Sequence, residues 1–296
     1  MGVDWPDEAA EPSEEKPQVH NERPAPAETR SRQEYYADLH EAVSAQQTAA
    51  TRQDAAEEQA ATRKWDRSAE ESRWMWREYQ RKWPLEEGSP TSKRSPGERF
   101  SPELERACDR IAQREREVLS PAMRDIESRD ESRKLIGFEH RLKNSDRIME
   151  KAAGRMEEKG RTPEQAVSLI SDAIRYTFQY EGARYTQGVW SDIARLKEHG
   201  FEMVKCKNFW TEEQYKGINS QWLDPNTGQR FEVQFHTRIS FEAKQLTHGS
   251  YERLRTGHRD EFERLVLKAF QRKVSAEVPV PLGAADVPDY PEGRRK

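Results

Sequence analysis

Four groups of residues carry chemistry by type and spacing. In the run from Arg230 to Thr237, Phe231, Val233 and Phe235 alternate with Arg230, Glu232, Gln234 and His236. Successive side chains of a strand point to opposite faces, so one face feeds a core. The other lines up a guanidinium, a carboxylate, an amide and an imidazole, which suits the floor of a polar cleft, although antiparallel strands also alternate for structural reasons alone. The second group is Lys143, Arg147, Lys151 and Arg155, four residues apart, with Arg141 and Ser145 beside them. On a helix they line one flank. A charged stripe is often only a solvated face, but the acids Asp146, Glu150, Glu157 and Glu158 sit next to or off this one, leaving it able to hold a triphosphate through charge-assisted bonds. The third is Asp172, where a helix gives way to a strand, with Arg175 three residues on. It reads either as a cap or turn residue or as a Mg²⁺ ligand, since Mg²⁺ is held by one or two carboxylates plus phosphate oxygens. With Glu232 on a strand of the same sheet, it can share a metal. The fourth is Tyr215-Lys216-Gly217-Ile218-Asn219-Ser220, in which a tyrosine beside a polar cleft offers a stacking surface for a base and a glycine lets the backbone approach a ligand.

The elements that must position these groups follow from pattern and punctuation. Residues 1–32, rich in Pro, Glu and Ala, read as disordered for want of anything to bury. Residues 33–83 lack Gly and Pro and read as a charged helix whose aromatics, Trp65, Trp74, Trp76, Tyr79 and Trp83, either dock on the rest of the chain or form a partner-binding arm. A linker is expected over 84–102 and a helical extension over 103–134, broken near Ser120-Pro121. The domain proper is expected over 135–275. It begins with a helix from Leu135 to Lys159 and a second helix started by Thr162-Pro163-Glu164-Gln165. Then come a strand at 173–180, a helix at 185–198, a strand at 201–210, a hairpin over 218–237, and helices at 239–254 and 259–273. The last residues, 276–296, read as a loose tail. This order predicts an α+β fold: a small mixed, largely antiparallel sheet flanked by helices.

Composition narrows the function classes. Charged residues make up 35% and hydrophobic ones 33%, so much of the chain is not core. The net charge of −4 leaves phosphate chemistry to a local basic cluster. The two cysteines, Cys108 and Cys206, form no metal or disulfide spacing. The sequence has no secretory h-region and no apolar run fit to span a membrane, so the expectation is a soluble, cytoplasmic protein without a membrane partner.

Taken in order, the motifs resemble the synthetase domain of the RelA/SpoT family, in its short single-domain or toxin-like branch. The residues that carry the likeness are Arg141-Leu-Lys143-Asn-Ser145 with Lys151, Asp172 with Arg175, Tyr215-Lys-Gly-Ile-Asn219, Glu232-Val-Gln234-Phe-His236-Thr237, and Ala243 with His248. They span about residues 135–255. The resemblance implies a nucleotidyltransferase-like synthetase fold and transfer of pyrophosphate from ATP to the 3′-hydroxyl of a purine nucleotide. It implies that Arg141, Ser145 and the flank Lys143, Arg147, Lys151 and Arg155 hold the ATP phosphates and that Asp172 and Glu232 are the catalytic and Mg²⁺-binding residues. Tyr215, Lys216, Asn219, Gln234 and His236 are then the acceptor side. None of the seven histidines is followed by Asp, so the metal-binding His-Asp pair of hydrolysing relatives is missing and synthesis alone is implied. The chain departs from the family pattern in the Asp172–Arg175 spacing, at Gly217 and Asn219, and at His236. A toxin or effector version would add an antitoxin or delivery partner, a tRNA 3′ end is another acceptor, and assembly into a homo-oligomer is compatible with the branch. The alternative reading is a catalytically degenerate module that binds nucleotides or a partner.

Overall fold

The computed structural model describes residues 53–84, 100–256 and 260–291. The readings of 1–32 as disordered, of 33–52 as helix and of 85–99 as linker therefore lie outside the described residues. The centre of the fold is a five-stranded sheet built from β1 (Arg133–Leu135), β2 (Arg175–Tyr180), β3 (Glu202–Asn208), β4 (Ile218–Asp224) and β5 (Gln229–Thr237). The strand order is β1-β2-β5-β4-β3, with β2 and β5 parallel and every other pair antiparallel. This is the mixed, largely antiparallel α+β arrangement that the sequence predicts.

Period-2 alternation decides which face is core. Tyr176, Phe178 and Tyr180 on β2 lie in register with Val233, Phe235 and Thr237 on β5, and Ile218 and Trp222 on β4 pair with Phe235 and Phe231. All these aromatic and aliphatic side chains are buried, together with Val189, Ile193 and Leu196 of the helix Tyr185–Glu198 that covers this face. The chain passes directly from β5 into the long helix Arg238–Thr256, which folds back over the opposite, polar face.

Numbered in chain order, the helices are α1 (Gln53–Lys82), α2 (Pro102–Arg114), α3 (Ser120–Ser128), α4 (Ser145–Lys159), α5 (Pro163–Ser168), α6 (Tyr185–Glu198), α7 (Arg238–Thr256) and α8 (Glu261–Ala276). A smaller core joins α2, α4 and α5 through Leu104, Ile111, Ile148, Met149 and Val167. The expected break at Ser120-Pro121 is instead a π-helical turn, Glu115–Leu119, joining α2 to α3. Widening the turn there accommodates the missing N–H and the ring of Pro121 without ending the helix.

The expected helix start at Leu135 is also displaced. Residues Arg133–Leu135 pair with β2, a 3₁₀ turn covers Phe138–His140, and α4 begins at Ser145, capped by the Asn144 side chain. Gly137, with φ 59°, sits in the connection that a continuous helix would have crossed.

The aromatics of α1 dock on the fold. Trp65 and Ala69 are each 1% exposed, and Trp65 Nε1 donates to Glu242 Oε2 at 2.7 Å on α7. Two turns beyond Ala69, Trp76 stacks on Phe270 of α8, and Tyr79 donates to Glu263 at 2.6 Å. Gly249 permits this crossing, since a Cβ there would meet Trp76 Cζ2 at 2.6 Å. The helix is thus part of the core that holds α7 over the sheet. Trp65→Ala is expected to cost about 3–5 kcal/mol, the range for truncating a large buried aromatic, and this is read as a lower midpoint in urea unfolding.

The proline-rich end, read as a loose tail, docks along β3. Cys206 and Tyr290 exchange backbone hydrogen bonds of 2.7 and 2.8 Å, and Asn208 Nδ2 donates to the carbonyls of Ala284 and Val287. Val278, Ala284 and Val287 are buried there. The segment satisfies the free edge of β3, a long-range pairing that local composition does not encode.

Candidate active site

A cleft of about 800 Å³ lies between the polar face of the sheet and α7. Register assembles its floor. Arg175 of β2 and Gln221 of β4 flank Glu232 of β5, and Asn219 of β4 flanks Gln234. Residues directly opposite one another on adjacent strands share a face, so these groups stand side by side, and Arg175, Asn219, Gln221, Glu232 and Gln234 all line the cleft. The opposite wall is one face of α7, where Lys244, Thr247, His248 and Tyr251 recur at helical spacing.

At one end of the floor is Asp172, in the 3₁₀ turn Ser171–Ala173 that leads into β2. Lys143 Nζ donates to Asp172 Oδ2 at 2.7 Å and Lys151 Nζ to Oδ1 at 2.6 Å. Partial burial alone would raise the Asp172 pKa, but the hydrogen bonds and charges of the two lysines outweigh it and hold the carboxyl well below the usual range. Lys143 does not reach Asp172 through helical periodicity, because it precedes α4. A short bridge places it: Leu142 pairs with Ile174, Lys143 N–H donates to the Ala173 carbonyl at 2.9 Å, and Arg175 N–H donates to the Arg141 carbonyl at 2.7 Å. Lys151 arrives from the second turn of α4.

The remaining residues of the expected ATP flank are not brought to the cleft. Ser145 and Arg147 are exposed on the first turn of α4 and do not line it. The Arg141 guanidinium donates to Glu115 Oε1 at 2.6 Å, to Ser120 Oγ at 3.0 Å and to the Phe138 carbonyl at 3.0 Å, and lies over the Phe138 ring. Glu115, 2% exposed, also accepts from Tyr176 at 2.9 Å. The α2–α3 extension therefore claims Arg141 for a buried network that sequence spacing did not reveal.

At the centre of the floor Glu232 is 9% exposed. Its Oε1 accepts a hydrogen bond from Gln234 Nε2 and lies 3.5 Å from Arg175 Nε. Arg175 Nε has no hydrogen-bond partner although it is buried. Gln234 Oε1 in turn accepts from Lys244 Nζ, so a chain of polar contacts runs from α7 through the amide to the carboxylate. Burial and the Arg175 charge push the Lys244 pKa down to about 8, while Glu232 acts in the opposite sense. Lys244 escaped sequence reading because its helix was matched only through Ala243 and His248, and Ala243 turns into the core.

The lowered Lys244 value carries a sign that can be checked. From about pH 8 up to the ordinary lysine value of 10.5, the folded chain gives up this proton before the unfolded chain does, so wild-type stability gains with rising pH. Compared with Lys244→Met, the wild-type melting temperature is expected to improve by a few °C between pH 7.5 and pH 9.5, roughly 2–4 °C for each kcal/mol in a domain of this size.

The other end of the cleft holds the loop before β4. Tyr215 lines it, its hydroxyl donating to Asn219 Oδ1 at 2.9 Å and lying 2.8 Å from His236 Nε2. Burial, and secondarily the Glu232 charge, push the Tyr215 phenol well up. His236 is on the polar face of β5, as alternation predicts, but α7 covers it completely: it is 0% exposed and its Nδ1 lies 2.9 Å from Ser240 Oγ. Burial, with the Lys244 charge, holds its pKa well below the ordinary histidine value, so it is a neutral ring that orients Tyr215. Gly217, read as a point of close approach to a ligand, makes its close approach to this ring instead. Its φ is 144°, and a Cβ there would lie 2.7 Å from His236 Cε1. Lys216 does not line the cleft, because its ammonium donates to the carbonyls of Trp210 and Glu212.

No family model matches the chain and no curated protein matches it. The chain is similar to solved small alarmone synthetases. Small alarmone synthetase 1 from Bacillus subtilis, solved bound to its product pppGpp, is 12% identical, with a TM-score of 0.33 over 59% of this chain and 88% of that one. Small alarmone synthetase 2 from the same organism is 16% identical, with a TM-score of 0.34 over 57% of this chain and 86% of that one. A GTP pyrophosphokinase family protein from Streptococcus pneumoniae is 14% identical, with a TM-score of 0.34 over 59% of this chain and 85% of that one. Among the described residues no helix is long and apolar enough to cross a membrane.

Proposed function

We propose that the chain is a nucleotide pyrophosphokinase, transferring the β,γ-pyrophosphoryl group of ATP to the 3′-hydroxyl of a purine nucleotide. The observation that carries this reading is the meeting of Asp172, Lys151 and Glu232 on one cleft, with Lys143 paired to Asp172 at its edge. The Glu232 N–H bonds the Ile174 carbonyl at 2.9 Å, two residues from Asp172, so both acids belong to one neighbourhood of the sheet. Attack on a polyanion needs neutralisation, alignment and a modest base, and no covalent nucleophile.

In this scheme Lys143 and Lys151 exchange the Asp172 carboxylate for ATP phosphate oxygens, a trade of one set of charge-assisted bonds for another. Among the described residues no group of three or more His, Cys, Asp or Glu gathers into a metal cage. Two carboxylates whose remaining partners are phosphates nevertheless suit Mg²⁺, which keeps water and substrate oxygens as ligands. Asp172 and Glu232 would hold the ion, which supplies neutralisation of the phosphate charge. The acceptor 3′-oxygen attacks the β-phosphorus, the bond from that phosphorus to the α-bridging oxygen breaks, and AMP leaves. Glu232 takes the hydroxyl proton, with Gln234 and Lys244 holding its carboxylate in place. Tyr215, steadied by Asn219 and His236, offers its ring to the acceptor base.

The test is an acceptor screen by thin-layer chromatography with γ-labelled ATP and Mg²⁺. Label is expected on a guanine or adenine nucleotide, with AMP as co-product. Absence of transfer to GDP, GTP, ADP, ATP and tRNA would overturn the reading.

A further inference from the structure

Below the cleft, at the C-terminal end of α4, lies a second cavity of about 270 Å³ lined by Arg155, Lys159, Arg161, Arg230, Glu158 and Leu169. Three elements contribute to both cavities, each by one further step along its length. α4 presents Lys151 to the cleft and Arg155 to this cavity, β5 presents Glu232 and then Arg230, and the connection into β2 presents Asp172 and then Leu169. Four helical residues rise about 6 Å, and two strand residues span about 7 Å. The second cavity therefore lies just beyond the cleft.

Its charge is unbalanced. Four cations face one acid, and none of the four forms an ion pair with a described residue, whereas most other arginines of the fold are paired. Arg230 Nε is buried with no hydrogen-bond partner. Gathering uncompensated cations and leaving a buried guanidinium N–H unpaired both cost free energy that an anion returns. Guanidinium groups converging from a strand, a helix end and the loop after it match the tetrahedral oxygens of a phosphoryl group.

We propose that this cavity is a phosphate-binding site of its own, taking a phosphoryl or pyrophosphoryl group through Arg155, Arg161 and Arg230. That group belongs to a phosphorylated ligand separate from the one that occupies the cleft. The proposal needs no turnover and stands or falls apart from the pyrophosphokinase reading.

Inorganic tripolyphosphate is titrated by calorimetry into the full chain, free and saturated with α,β-methylene-ATP. The same titrations are run on the Arg161→Gln/Arg230→Gln double variant, with Arg161→Gln alone, on the loop after α4, as a second variant should the first fold poorly. Loss of two charge-assisted contacts is expected to weaken binding about tenfold or more. If tripolyphosphate still binds the saturated wild type and the double variant weakens it, the ligand is separate. If the analogue displaces tripolyphosphate and the double variant also weakens the analogue, the cavity is part of the cleft's own ligand site and the proposal is overturned. Wild-type affinities for both probes in the folded variants would overturn the proposal.

Discussion

Asp172→Asn is expected to lower pyrophosphate transfer on the order of a thousandfold, the scale for removing a preorganised electrostatic group from a transition state. The amide keeps the shape and one acceptor oxygen but loses the charge that two ammonium groups now share. ATP affinity should fall less than kcat, because Lys143 and Lys151 remain to meet the phosphates. The fold should survive, since the Asp172 side chain is 23% exposed and its partners can turn to water. Acid titration supplies an independent check. The folded pKa of Asp172 is depressed, so its contribution to stability is complete above the unfolded value near 4 and is lost as pH falls through the folded value. The gap in melting temperature between wild type and Asp172→Asn should accordingly narrow below pH 4. Transfer at the wild-type rate in the variant would remove Asp172 from the chemistry.

Glu232→Gln is expected to lower kcat by about 10²–10⁴-fold, the usual contribution of a positioned base, with a small change in the KM for acceptor. The substitution preserves volume at a site that is 9% exposed. It leaves Arg175 and Lys244 facing the same spot with no acid between them, so the Lys244 pKa should drop further below about 8. A large rise in KM with kcat unchanged would instead make Glu232 a binding residue. Single-turnover measurement with labelled ATP separates the two outcomes.

The parts of this site that were legible in the sequence are those that local rules govern. Alternation along 230–237 placed Glu232 and Gln234 on the cleft face, because strand side chains alternate whatever surrounds them. The α+β order, the hairpin over 218–237 and the helix over 185–198 follow from periodicity and turn residues in the same way. Less legible was the basic flank. A continuous helix from Leu135 would have put Lys143, Arg147, Lys151 and Arg155 on one stripe with Arg141 beside it, but the chain breaks at Gly137 and α4 starts at Ser145. Lys143 and Lys151 still meet at Asp172, by a β-bridge and a helix turn respectively, whereas Arg141 is drawn to Glu115.

By itself, then, the sequence determined the secondary-structure order, the apolar face of the sheet and the carboxylates and amide along β5, all consequences of interactions within a few residues. Tertiary structure alone decided which polar residues face open space. It buried His236 beneath α7, set Lys244 against Gln234, gave Arg141 to a glutamate 26 positions away and brought Trp65 onto a helix 177 positions away. Those outcomes depend on which elements pack together. The free energy that selects them comes from area buried between distant segments, which no local pattern of residues records.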